Sequence, residues 1–249
     1  MDLPFSLPEL LWIAFSLLFA GFVKGATGLG YSTTALPLLA LAIGLKPALP
    51  LVLAPSIASN LAVLAGVGPL GPAFRRFAPL LIAAPVGVAL GLALLGRIDG
   101  ASAGAALGHA LLAWIAFSLA RPHWRAPPRL ERPLSAPVGL FTGVINGLTG
   151  SQVLPVTPYL MSLDLPRPLF IATLNLSFTL SSLVMASGLA WLGLLTPTSA
   201  AISLSGVVVA LVGVRSGEAL RRRLPEAAFR NAVLAVLGLS ALALIWRAL

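Results

Sequence analysis

The chain has 249 residues, 58% hydrophobic and only 9% charged, with a mean hydropathy of +1.00. A soluble domain carries about a quarter charged residues, so this composition excludes one and implies an integral membrane protein. The net charge of +9, from sixteen basic and seven acidic residues, fits arginines held at membrane edges better than a nucleic-acid surface.

The apolar segments run over residues 8–23, 31–44, 49–68, 77–96, 101–120, 136–146, 151–163, 168–190, 198–215 and 228–246. The opening MDLPFSLPELLW has no basic leader and no small-residue cleavage site, which predicts a retained segment rather than a signal peptide. Six segments approach the ~20 residues of a spanning helix. The first, second, sixth and seventh fall short. At 1.5 Å per residue a 13-residue helix covers about 20 Å of a hydrocarbon core about 30 Å thick. Each short pair is joined by a glycine-rich stretch: GFVKGATGLGYSTTALP from Gly21 to Pro37, and GLFTGVINGLTGSQVLPVTP from Gly139 to Pro158. Such stretches in apolar sequence predict re-entrant or broken-helix hairpins, whose irregular backbone is tolerated only where protein or a watery cavity satisfies it.

The basic residues test this topology. If each short pair enters and leaves on one side, twelve arginines fall together: Arg75, Arg76, Arg121, Arg125, Arg129, Arg132, Arg167, Arg215, Arg221, Arg222, Arg223 and Arg230. Lys46, Arg97 and Arg247 take the other side. Counting each pair as one crossing gives about eight against seven. The positive-inside rule prefers the first arrangement, with both termini outside the cytoplasm. Two short full crossings give the same parity as a re-entrant hairpin, so only segment length favours the hairpin.

Each half is then a hairpin and three spans, an odd number of crossings, so the halves are inverted. GATG at Gly25–Gly28 matches GLTG at Gly147–Gly150 at an offset of 122, and Ser59-Asn60-Leu61 matches Ser181-Ser182-Leu183. The expected fold is an all-α polytopic membrane protein of two inverted repeats, each a broken-helix or re-entrant hairpin plus three transmembrane helices. The first repeat covers 1–120 (hairpin 8–44; spans 49–68, 77–96, 101–120). A basic cytoplasmic loop covers 121–135. The second repeat covers 136–249 (hairpin 136–163; spans 168–190, 198–215, 228–246). Interrupted helices at matching positions of inverted repeats place a transporter's site near the midplane.

The spacing Gly21, Gly25, Gly28, Gly30, Pro37, echoed by Gly139, Gly143, Gly147, Gly150, Pro155 and Pro158, resembles the TauE/SafE, or sulfite exporter, family of membrane permeases. The small polar residues of the following segments (Ser56, Ser59, Asn60; Asn175, Ser177, Ser181, Ser182) fit as well. The resemblance covers nearly the whole chain. It departs at Ser151-Gln152, where the family usually continues with glycine, and this bears on substrate identity. It implies export or import of sulfite, sulfonates or related organosulfur anions.

An oxyanion needs donors. Half-helix N-termini opening after Gly30 and Gly150 supply backbone N–H groups, and Lys24 is the one basic residue expected away from a membrane edge. An ionisable group in the membrane is a functional candidate, set against snorkelling to an interface. The candidate substrate-binding residues are Lys24, Gly25, Thr27, Gly28, Gly30, Asn60, Asn146, Thr149, Gly150, Ser151, Gln152 and Asn175. For the hydroxyls and amides the competing role is helix capping or helix–helix hydrogen bonding; for the glycines it is close packing. No carboxylate lies in a span, so the usual proton or sodium carrier is absent, and His109 is the single titrating alternative. This predicts anion movement down its gradient, or coupled to protonation of the substrate. An inside-negative potential favours anion exit by about 2.3 kcal/mol per charge per 100 mV.

No cysteine is present and two histidines offer no metal set, so neither metal nor cofactor is expected, and no P-loop or strand-borne nucleotide motif occurs. An enzyme is disfavoured: Ser151 with His109 has no spacing to support it. The alternatives are a membrane scaffold or assembly factor and an anion channel of other specificity. The expected partners are a small anion and the bilayer. The GxxxG pairs Gly21/Gly25 and Gly139/Gly143 serve packing within one chain or in a homo-oligomer. Arginine and alanine richness suits a GC-rich bacterial genome, hence the inner membrane.

Overall fold

The computed structural model describes residues 5–27, 30–120, 125–221 and 226–249, and all their regular structure is helical. The elements are α1 (Leu7–Thr27), α2 (Tyr31–Ile43), α3 (Leu45–Leu51), α4 (Leu53–Ala65), α5 (Gly71–Leu95), α6 (Gly100–Ala120), α7 (Glu131–Thr149), α8 (Val156–Ser162), α9 (Arg167–Trp191), α10 (Pro197–Arg221) and α11 (Glu226–Trp246). Among the described residues five of them, α1, α5, α6, α9 and α10, are long and apolar enough to cross a membrane; α3 and α4, bent by 43°, together have the length and apolarity of a sixth, interrupted one.

The hairpin arms differ from expectation. Both arms of each pair were expected to be short, yet α1 has 21 residues and α7 has 19; only α2, with 13, and α8, with 7, are short. The reason lies in the glycines. Gly21 and Gly25 remain helical, and a Cβ on either would lie 2.3 or 2.0 Å from the backbone oxygen of Ala210 or Val214 on α10. They are contact points rather than breaks, and small residues at such crossings let helix backbones touch. The reversals fall later. Gly30 (φ 83°) opens α2 and Gly150 (φ 73°) closes α7, both in the left-handed region that a side chain disfavours. Similarly, the polar loop expected over 121–135 is cut short, because Glu131 already starts α7.

The same packing recurs in the other half. Gly139, Gly143 and Gly147 on α7 meet Leu80, Ala84 and Val88 on α5, with Gly87 and Gly91 answering from α5; Gly213 and Gly217 on α10 answer α1. Residue numbers rise together along both contacts, so α1/α10 and α5/α7 are parallel pairs. The GxxxG stripes are thereby used inside the chain.

Side-chain contacts gather the loops at two ends. At one end Arg76 grips Glu131 with two bonds of 2.6 and 2.8 Å, the Tyr159 hydroxyl donates to the Glu131 carbonyl at 2.6 Å, and the Ala126 N–H donates to the Ser162 carbonyl at 3.0 Å. At the other end Lys46 donates to the Ile98 carbonyl at 2.6 Å, Arg247 reaches the Leu41 carbonyl, and the Trp12 indole N–H donates to the Leu38 carbonyl at 2.8 Å. Hairpin α7–α8 thus starts and returns at the first end, and hairpin α1–α2 at the second. Beside the second end, the Asp99 carboxylate accepts from the Ser102 N–H and hydroxyl, which holds its pKa below the usual carboxylate value.

Two apolar clusters fill the interior. One contains Leu53 of α4, Val88 and Leu92 of α5 and Met185 and Leu189 of α9; the other contains Leu64 of α4, Leu80 and Leu81 of α5 and Ala172, Leu174, Leu176 and Phe178 of α9. On α4 and α9 the stretch between clusters carries buried Ser56, Ser59, Asn60, Ser181 and Ser182. A polar layer therefore divides the apolar core.

Candidate functional site

Both hairpin tips reach that layer. The Lys24 ammonium, on the last turn of α1, donates to Asn60 Oδ1 at 2.5 Å and Ser59 Oγ at 3.0 Å, both on α4. Lys24 is only 5% exposed, so it does not snorkel. Both acceptors are neutral. A buried ammonium is costly to desolvate without an anionic partner.

Helix α2 begins beside it. Gly30 in the left-handed region lets the chain turn sharply, and no side chain caps the helix. Its first N–H groups have no intrahelical acceptor by geometry and carry the positive end of the helix dipole. Tyr31, Ser32 and Thr33 form that first turn, and Ser32 Oγ lies 2.9 Å from Ser56 Oγ. From the other half, Gln152 Nε2 donates to Ser182 Oγ at 2.9 Å and Asn175 Nδ2 donates to the Ile171 carbonyl at 2.9 Å.

These groups surround one cavity. It is lined by Lys24 of α1, Gly30 to Thr33 of α2, Ser56 and Asn60 of α4, Gln152 and Val153 after α7, and Asn175 and Phe178 of α9. Its volume is about 10 Å³, room for about one water. Asn60 Nδ2 and the Tyr31 hydroxyl are buried there without a hydrogen-bond partner. The lining has a cation, a helix N-terminus and unsaturated donors, and no carboxylate.

Of the residues singled out from sequence, Lys24, Gly30, Asn60, Gln152 and Asn175 come together here. The other described ones do not line the cavity. Gly25 packs on Val214. Thr27 is exposed and its hydroxyl donates to the Val23 carbonyl at 2.8 Å. Gly28 lies outside the described residues. Thr149 bonds back to the Ile145 carbonyl and accepts from the Ser151 N–H. Gly150 forms the turn against Leu36 and Leu49. Asn146 is buried with both side-chain atoms unpartnered. Tyr31, Ser56, Val153 and Phe178 join the lining without having been singled out for it. Ser32, Thr33 and Ser56 were visible as hydroxyls within the relevant stretches; Phe178 had no signal, since an aromatic in an apolar span reads as packing. His109 lies on the exposed side of α6, with Nδ1 2.8 Å from the Ala105 carbonyl, away from this layer. Among the described residues no group of histidines, cysteines and carboxylates could hold a metal.

The broken span α3–α4 is satisfied from the second half. The Ala54 N–H donates to Ser203 Oγ, and that hydroxyl donates to the Leu51 carbonyl, each at 3.1 Å. Such internal pairing is what irregular backbone inside a membrane requires.

Helix tips converging on a polar layer, within a bundle of membrane-length helices, fit a polytopic membrane transporter. The sequence profile described as Sulfite exporter TauE/SafE matches residues 13–244, and the chain belongs to that family, one of membrane transporters rather than enzymes. No curated protein and no solved structure is detectably similar to it.

Proposed function

We propose that the protein moves a small oxyanion, sulfite or a sulfonate, across the bacterial inner membrane, binding it between Lys24 and the N-terminus of α2. The observation that carries this reading is the Lys24 ammonium, buried against two neutral acceptors and facing a cavity without a carboxylate. Two of its three donors are used; the third, the α2 N–H groups and Asn60 Nδ2 match the acceptor-rich surface of an oxyanion. Gln152 and Asn175 complete the cage from the second half. A scaffold would gain nothing from a buried charge of this kind.

The cavity's room for one water is too small for a four-heavy-atom ion. A space this narrow supports a carrier rather than an open channel, with the two hairpins moving apart to admit substrate. The matched pairs α1/α10 and α5/α7, and hairpins returning to opposite ends, support inverted repeats. The end bearing Arg76, Arg125 and Arg129 is the cytoplasmic one by the positive-inside rule, which sets both termini outside, and export is the direction an inside-negative potential favours.

The test is flux of labelled sulfite and small sulfonates in proteoliposomes with wild-type and Lys24→Ala protein. Saturable flux that falls sharply in a folded Lys24→Ala variant is expected. Undiminished flux in that variant would remove Lys24 from the binding site, and no flux of any sulfur oxyanion in the wild type would discard the substrate class.

A further inference from the structure

Buried polar groups without partners are rare in folded proteins, because each forfeits its hydrogen bonds to water. Here they are unevenly placed. Among the described residues, Thr142 Oγ1 and both side-chain atoms of Asn146 lack partners, as does Thr157 Oγ1 on α8. All three residues are at most 2% exposed. Thr142 and Asn146 are one turn apart and share a face of α7, which Ser135 and Thr149 extend toward either end of the helix. Phe141, on another face of α7, is 62% exposed. The stripe therefore runs inside the protein, from the Arg76–Glu131 end to the Ser151-Gln152 tip at the cavity.

The corresponding face of α1 is different. Ile13 and Ala20, 122 residues before Ser135 and Thr142, are apolar and buried, and the polar positions are Lys24, matching Asn146, and Thr27, matching Thr149. Of the two long hairpin arms, among the described residues, it is α7, rising from the arginine-bearing end, that carries buried side chains without partners, and not α1. Exposed Arg125, Arg129 and Arg132 would concentrate anions at its mouth.

We propose that α7 carries a hydrated approach for the anion, with Thr142 and Asn146 forming a neutral waiting station between the arginine-bearing end and the Lys24 cavity. This rests on the oxyanion-transport reading. Neutral donors hold an anion loosely, as a station that must release its occupant onward requires, whereas the lysine holds the final site.

The wild-type chain has no cysteine, so single thiols report cleanly. In the full-length protein in oriented proteoliposomes, Thr142→Cys and Asn146→Cys are expected to be modified by an anionic, membrane-impermeant methanethiosulfonate added at the Arg76 end, and not from the other end. Ala20→Cys is expected to stay unmodified. No modification of either α7 thiol in folded protein overturns the approach, and equal modification of Ala20→Cys overturns the asymmetry. Should Asn146→Cys not fold, Thr142→Cys, a near-isosteric change, decides. In addition, Asn146→Leu is expected to lower sulfite flux about fivefold; unchanged flux overturns the station. If wild-type protein moves no sulfite, the transport reading fails while the labelling still judges the approach.

Discussion

In the first hairpin α1 sets Gly21 and Gly25 against α10; in the second, α7 sets Gly139, Gly143 and Gly147 against α5. Each glycine replaces a side chain by direct backbone contact, and each hairpin ends in a left-handed glycine near the polar layer. The chemistry at the two tips diverges. The first presents Lys24, bonded to Ser59 and Asn60. The second presents Asn146 without partners and Gln152 bonded to Ser182. Packing demands are therefore alike in the two halves, while the electrostatics are concentrated in one. Under the proposed anion transport, a shared scaffold with one charged arm gives the substrate a preferred resting place instead of two equal ones.

The harshest way to break the comparison is to attack what the hairpins share. A Cβ at Gly25 or at Gly143 would lie 2.0 Å from a backbone oxygen on the facing helix. Backbone cannot step aside like a flexible side chain, so Gly25→Val and Gly143→Val are both expected to lose monodisperse, folded protein on size-exclusion chromatography. If one variant stays well folded, the two contacts are not equivalent.

What the hairpins do not share is probed next. Asn60→Leu leaves the Lys24 ammonium with Ser59 alone; an unsatisfied buried group costs about 1–3 kcal/mol, and more when charged. Thermal unfolding in detergent is expected to show that loss, and Lys24→Met/Asn60→Leu to recover part of it. A double variant no more stable than Asn60→Leu would mean that the lysine is not held by Asn60.

Flux separates the tips directly. Removing a charged hydrogen-bonding group forfeits about 1.5–3 kcal/mol and a neutral one about 0.5–1.5, so Lys24→Ala is expected to lower sulfite flux roughly 10- to 100-fold and Gln152→Ala roughly 2- to 10-fold. Equal losses would erase the proposed division between a charged and a neutral arm. The smallest effect belongs to Arg76→Gln. Its ion pair with Glu131 is part-exposed, with side-chain exposures of 42% and 19%, and such pairs contribute about 0.2–1 kcal/mol. A barely changed melting curve is expected, and a drop beyond that range would show that this contact fixes the foot of α7.

Much of the molecule was legible before any coordinates. The GATG and GLTG motifs marked both hairpins, the arginine distribution separated the loops that the Arg76–Glu131 and Lys46–Ile98 contacts gather at opposite ends, and Lys24 stood out as a cation far from an edge. Helix lengths were less legible. Apolar runs stop at Val23 and begin again at residue 136, but α1 continues to Thr27 and α7 starts at Glu131. A glycine in sequence does not say whether it breaks a helix or lets another backbone approach, because the facing helix is almost 190 residues away in the case of Gly21 and Ala210.

The sequence by itself determined the membrane class, the family and the two reversals, since these follow from composition and short-range pattern. The tertiary structure decided which polar residues meet. Lys24 finds Ser59 and Asn60 only because α4 folds back beside α1, Gln152 finds Ser182 across another reversal, and Asn146 stays unpaired only because α7 turns its polar stripe inward. Hydrogen bonding is decided within about 3 Å, and no local pattern in a chain specifies which distant residue will come that close.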